Sequence, residues 1–407
     1  MIQLISKNSL ITSLIFLLGA CGGGGGNSAA NAPFNSGTGF NGTVWSLAAA
    51  TDGSGDIYVG GNFTDYNGNA RSMIARINAD GSLDTAFNPG TGFNGTVRSL
   101  ATATGSSGDI YVGGGFTNYN GTTINRIARI NSDGTLDTGF DPGGGFNADV
   151  IAITPATDAS GVIFVGGNFT DYDGNARSRI ARIHPDGSVD TGFDPGSGFD
   201  DVVSSISLAT DVSGDIYAGG NFTTYRGDAR RGAVRIDSDG ANDAAFNPGA
   251  GFSLLAPAIG TGVGVVVAVN DGSGDILVAG FFANFNGSSS NNIVRLDNTG
   301  SLAGGFDSGS GSDLGFVDIA FAPDGSGDIY AVGNFSSCRG NPRSGITRIS
   351  SDGSNDGDFN PGTGVDGSAI WDILVTGSGL YLGGPFTTYQ GAAANRIVRI
   401  DTTGAPN

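Results

Sequence analysis

Residues 55–87 read GDIYVGGNFTDYNGNARSMIARINADGSLDTAF. The apolar runs IYVGG (57–61) and MIARI (73–77) are separated by Asn, Asp and Gly, and SLDTAF (82–87) follows directly on Asp80-Gly81. Asp-Gly supplies the positive φ that a tight hairpin needs, so the second and third runs predict antiparallel strands joined by a short turn. Upstream, TVWSLAAA (43–50) leads through the DGSGD turn (52–56) into the same unit. The pattern predicts four short strands, the size of one propeller blade. The IYVGG run does not alternate apolar with polar residues, as expected of a sheet covered on both faces.

The unit recurs. The phenylalanine of GGNF falls at Phe63, Phe116, Phe169, Phe222, Phe282, Phe335 and Phe386, a period near 53 residues with one longer step of 60. The arginine of the third run falls at Arg76, Arg129, Arg182, Arg235, Arg295, Arg348 and Arg399 with the same spacing. Such a period with all-β units predicts a propeller. The fourth strand, marked by Phe87 and its equivalents, occurs six times after the first unit opens, and its seventh copy is Phe34. The expectation is an all-β, seven-bladed β-propeller of four-stranded blades over 33–407, closed by an N-terminal strand that completes the last blade. Closure would leave no exposed sheet edge.

On these residues the chain resembles the delta-60 repeat, a β-propeller repeat of bacterial secreted and surface proteins with no assigned function. The resemblance covers nearly all of 33–404 and implies the fold alone, because fold does not give function. The fifth unit departs most, with AGFF where the first, third and fourth have GGNF.

The first 20 residues, with Lys7 followed by an apolar run to Leu18, predict a secretory signal too short to span a bilayer. Leu18-Gly19-Ala20-Cys21 resembles the lipobox of bacterial lipoproteins, which implies cleavage before Cys21, lipidation of that cysteine and an outer-membrane location, surface-exposed or periplasmic. Residues 21–32, rich in Gly, form a tether. With Cys21 lipidated, Cys338 has no partner for a disulfide and reads as a small apolar filler where most units carry Tyr.

The chain has no Glu and one Lys, and its formal charge is −19. That excludes the clustered cations on which phosphate-backbone binding relies, so no nucleic-acid partner is expected. Most aspartates fall in the turns between strands one and two and between three and four, which predicts one acidic face. NADGSLD (78–84), NSDGTLD (131–137) and HPDGSVD (184–190) suggest weak calcium binding, but none has a full calcium-loop spacing, so no metal site or cofactor is assigned. The repeated arginines are expected to tie each blade to the next through backbone or Asp.

Function is sought where units differ. Trp45 and Trp371 are the only tryptophans; both open a first strand, in units that closure would make neighbours. With Arg98 as polar neighbour they form the candidate ligand site, suited to stacking on a sugar or a partner's side chain. The extra residues of the fifth unit lie in an apolar loop, with Leu254, Leu255 and Ile259 as a candidate partner contact. No catalytic constellation can be assembled: the single histidine, His184, sits in a turn. The expected function is non-covalent recognition of a protein or polysaccharide by a lipid-anchored, monomeric envelope scaffold. The alternatives are a carbohydrate-active hydrolase or lyase using aspartates near the channel mouth, or a purely structural surface module.

Overall fold

The repeating pattern becomes seven successive antiparallel sheets among the described residues of the computed structural model, which are 33–105, 107–158, 160–254 and 262–407. In the first sheet, strands Val44–Ala49, Ile57–Gly61 and Ile74–Ile77 pair in chain order, with Leu47 opposite Val59 and Val59 opposite Ala75. A bulge between Val44 and Ser46 interrupts the first pairing and recurs at Val97/Ser99, Val150/Ala152, Val203/Ser205, Val263/Val265 and Phe316/Asp318.

The fourth strand is shorter than the sequence predicts. It survives as a single bridge, Ile77 to Leu83 in the first sheet and Ile349 to Asn355 in the sixth. After Asp84 N donates to Arg76 O at 3.0 Å, the Asp84 carboxylate accepts from Ala86 N at 2.8 Å and turns the chain out of the ladder. Side-chain capture of backbone N–H groups by Asp is a standard competitor of strand pairing.

Packing between sheets explains the glycine pair of IYVGG. A Cβ on Gly60 would lie 2.5 Å from the Val97 side chain of the next sheet, and one on Gly383 would lie 2.6 Å from Val44 of the first. Only glycine lets the sheets approach this closely. The apolar clusters accordingly straddle neighbouring sheets: one joins Tyr58 and Ile74 to Val97 and Leu100, and another joins Leu47 and Ile57 to Tyr381 and Ile397.

A second glycine holds the outer edge. Gly81, with φ +88°, presses against the backbone of Asn35, where a Cβ would sit 2.6 Å from the carbonyl. Beside it, Asn35 N donates to Asp80 O at 2.8 Å, a bond repeated from Asn88 N to Asp133 O, Asp194 N to Asp239 O and Asn360 N to Thr403 O, also at 2.8 Å. Tyr225 and Tyr389 cap their own turn glycines through O–H bonds of 2.7 Å to Gly240 O and Gly404 O. Where Cys338 replaces the tyrosine, Arg339 Nη1 donates to Gly353 O instead, at 2.8 Å. Cys338 is buried, and burial pushes its thiol up to about 11.

The repeated arginines act mostly within their own sheet. Arg348 binds Asp328 at 2.9 Å and Asp356 at 3.0 Å, and Arg295 binds Asp271 at 2.6 Å and Asp275 at 2.7 Å. The expected tie to the next sheet is made by Arg129 to Pro185 O at 2.7 Å, Arg182 to Ser238 O at 2.5 Å, and Arg399 to Ala79 O at 2.8 Å. In the first, fourth, fifth and sixth sheets the third strand places the guanidinium beside the turn that joins strands one and two, where local carboxylates reach it.

The first and seventh sheets are adjacent. Leu47 N donates to Asp372 Oδ2 at 2.8 Å, and Phe34 N donates to Asn407 O at 3.2 Å. Pro406 bridges to Ile400, so residues from both chain ends lie along the outer edge of the seventh sheet.

Candidate functional site

First strands neighbour first strands, so residues near their N-terminal ends lie side by side. The two tryptophans meet there: Trp45 and Trp371 stack with ring centroids 5.2 Å apart and planes 29° from parallel. Offset stacking of this kind adds about 0.5–1.5 kcal/mol beyond area burial. Trp371 is buried with Phe281, Val317 and Ala369, and Trp45 packs on that cluster half-buried. The Trp45 Nε1 atom is buried and has no hydrogen-bond acceptor. An unmatched buried donor costs about 1–3 kcal/mol.

Arg98 occupies the same strand position in the second sheet. Its Nε lies 3.0 Å from Asp149 Oδ2, and its side chain is 12% exposed. A carboxylate ahead of the third sheet thus already holds the guanidinium, on the side away from Trp371. Of the candidate partner loop, Leu255 and Ile259 lie outside the described residues, and Leu254 is described only by its backbone, in the strand Phe252–Leu254. Cys21 also lies outside them.

Sequence reasoning missed the residue that follows Trp45 and its equivalents in the other first strands. Ser46 Oγ accepts from Leu100 N at 3.0 Å, Ser99 Oγ from Ile153 N at 3.2 Å, and Ser205 Oγ from Val266 N at 3.0 Å. Each bond crosses from one first strand to the next. In the sixth and seventh sheets the position is Asp: Asp318 Oδ2 accepts from Ile373 N at 3.2 Å, and Asp372 makes the bond to Leu47 already described. Both carboxyls are buried, at 0% and 1% exposure. Burial and the charge of Asp372 raise Asp318 well above the usual carboxylate range. The signal available in the sequence was a column reading Ser, Ser, Ala, Ser, Val, Asp, Asp, at 17 residues before the repeated phenylalanine in the first six units (63 − 46 = 17) and 14 before it in the seventh (386 − 372 = 14).

The acidic turns are internally satisfied. Asp80 Oδ1 accepts from Ser82 N at 2.9 Å and Ser82 Oγ at 2.7 Å, and the same pair of bonds forms at Asp186 with Ser188. Asp215, Asp237 and Asp243 converge with carboxylate oxygens within 4.8 Å of one another. Arg235 sits among them, 2.8 Å from Asp215 and 3.1 Å from Asp243, which supplies the counter-charge a cation would otherwise bring. Desolvation, then the charges of Asp215 and Asp243, raise Asp237. His184 Nε2 lies 3.8 Å from Asp190 Oδ1 in a turn, with its side chain 43% exposed.

The model of a domain of unknown function (DUF5122) beta-propeller matches residues 53–87, 105–140, 159–193, 213–246, 272–312 and 323–359. No curated protein matches the chain. Among solved structures, the WD40 beta propeller domain of Doa1 superposes with a TM-score of 0.53 at 15% identity, covering 85% of this chain and 90% of that one. At that identity the likeness speaks for the fold alone.

Proposed function

Because the chain belongs to the DUF5122 beta-propeller family, whose function is unassigned, we propose that it is a binding scaffold of the bacterial cell envelope, anchored through a lipid on Cys21. Propellers commonly serve in binding or scaffolding, and the body proposed here is a closed ring of seven blades. The closure is supported by the bond from Asn35 to Asp80, which repeats the link between every pair of successive sheets, and by Leu47 N on Asp372.

The observation that carries the binding reading is the Trp45–Trp371 stack. Two stacked indoles, Trp45 only half-buried, present an apolar surface, the equipment for a sugar ring or for a partner's aromatic or proline side chain. The ligand is therefore a polysaccharide or a protein held without covalent chemistry.

The test uses the full chain displayed on cells and the soluble body 33–407. Glycan arrays and envelope pull-downs should give signals that Trp45→Ala and Trp371→Ala each reduce at least tenfold while the melting curve stays cooperative. Binding unchanged in both variants, or turnover of a polysaccharide by the purified body, would overturn the reading. Cys21→Ser should abolish incorporation of labelled fatty acid; retained label would refute the anchor.

A further inference from the structure

The two buried acids of the first strands have no counterpart in the other sheets. Asp318 and Asp372 occupy the column filled by serine in the first, second and fourth sheets, where a hydroxyl accepts one backbone N–H from the next sheet. Here the same backbone bonds are made by carboxylates: Asp318 Oδ1 accepts from Ile319 N at 2.9 Å, its Oδ2 from Ile373 N at 3.2 Å, and Asp372 Oδ2 from Leu47 N at 2.8 Å. Asp318 Oδ2 thus sits on the backbone amide that follows Asp372, and both carboxyls are buried, at 0% and 1% exposure. Two carboxylates buried this close are held without like-charge repulsion only when one of them carries a proton.

The flanking first strands Val44–Ala49 and Gly262–Ala268 and the strand Ile276–Phe285 bring no titratable side chain. The second strands Ile329–Gly333 and Gly379–Gly383 bring one tyrosine each. Tyr330 donates its O–H to Thr402 O at 3.1 Å, and Tyr381 Oη lies 3.5 Å from Ser378 Oγ, so both hydroxyls are engaged at the turns. The charge acting on Asp318 is that of Asp372.

We infer that Asp318 and Asp372 hold one proton between them and form a pH-sensitive latch across the sixth, seventh and first sheets, beside the Trp45–Trp371 stack. With the proton in place, the pair joins three first strands through one continuous chain of hydrogen bonds. Its loss puts two like charges side by side in a buried site, which drives the sheets apart at the strand that carries Trp371. The latch stands on the sheet geometry alone; only its control of ligand affinity rests on the binding reading above.

The sign follows from proton linkage. The native pair keeps a proton that the unfolded chain gives up in the ordinary carboxylate range, so the latch's stabilisation is complete at acid pH and falls as pH rises. Wild type and Asp318→Asn, in which the amide donates permanently to Asp372, should be unfolded in denaturant at several pH values from 5 to 8. Relative to the variant, the wild-type unfolding constant should rise about tenfold per pH unit while the native proton is held. Asp318→Ser/Asp372→Ser copies the hydroxyl found in the other sheets and provides a second reference should the amide fail to fold. The near-ultraviolet exciton signal of the two stacked indoles should weaken with rising pH in wild type and stay constant in the serine variant. Parallel stability curves for wild type and variants, or a pH-dependent exciton signal that survives in the serine variant, would overturn the latch.

Discussion

Phe34 stands edge-on to Tyr381, with ring centroids 5.5 Å apart and planes at 82°. Tyr58 and Phe87 repeat the contact in the first sheet at 5.5 Å and 71°, and Tyr330 and Phe359 in the sixth at 5.4 Å and 65°. Arg399 completes the motif, its Cζ 5.7 Å from the Phe34 ring, as Arg76 lies 5.4 Å from Tyr58. A residue from one end of the described chain therefore occupies the outer-edge position of the sheet formed at the other.

Phe34→Ala should destabilise the body by about 3 kcal/mol, the lower end for a large aromatic in a packed site because Phe34 is partly exposed. Phe87→Ala, fully buried, should cost more. Denaturant unfolding of 33–407 measures both, and removal of 33–40 should be worse than either. A truncated body that melts like the parent would remove the structural role assigned to this segment.

Two glycines with similar backbone angles should respond differently to alanine. Gly68, with φ +79°, has open space around its missing Cβ, so Gly68→Ala should cost only the left-handed penalty of about 1–2 kcal/mol. Gly81→Ala adds a clash with the Asn35 backbone and should cost at least 1 kcal/mol more than Gly68→Ala. Equal losses in the two variants would show that the Gly81–Asn35 contact carries no load.

Acid should weaken the outer turns while leaving the Asp318–Asp372 latch intact. Hydrogen bonds from Ser and the charge of Arg, outweighing desolvation where that is the largest influence, hold Asp52, Asp271 and Asp324 down at about 2. A depressed native value gives stability that is present above the ordinary carboxylate range and lost as pH falls toward 2. Unfolding midpoints measured from pH 5 to 2 should fall less steeply for Asp324→Asn than for wild type. Identical slopes would deny the Arg348–Asp324 pair its share.

The only two tryptophans report on one contact. Wild type should show a split near-ultraviolet circular dichroism band from the coupled indoles, absent in Trp45→Phe and in Trp371→Phe. Phenylalanine retains most of the apolar volume, so the melting temperature should move by no more than a few degrees. A wild-type spectrum equal to the sum of the two single variants would place the rings apart in solution.

The strand pattern, the turn glycines and the identity of Phe34 as a displaced copy of Phe87 were all readable along the chain, because each depends on local backbone preference or on repetition. So was the membership of Trp45 and Trp371 in one neighbourhood, once the units were counted around a ring. The fourth strand was over-read: the aspartate that marks it also captures the backbone that would have extended it. The arginines were read in part: Arg129, Arg182 and Arg399 reach the next sheet as expected, while Arg295 and Arg348 bind carboxylates of their own, since strand pairing sets the nearest carboxylate and the sequence does not display pairing.

The Asp318–Asp372 pair belongs to tertiary structure altogether. In sequence these are two aspartates among many, 54 positions apart. Only the side-by-side packing of first strands removes both from water and sets them at neighbouring positions. Their serine counterparts, by contrast, are neutral and bond the backbone of the next first strand. Composition and period determined that this chain would build repeated sheets with an acidic, turn-rich surface. Where two like charges would meet inside it, and where an indole N–H would be left without a partner, was decided by desolvation and distance between sheets.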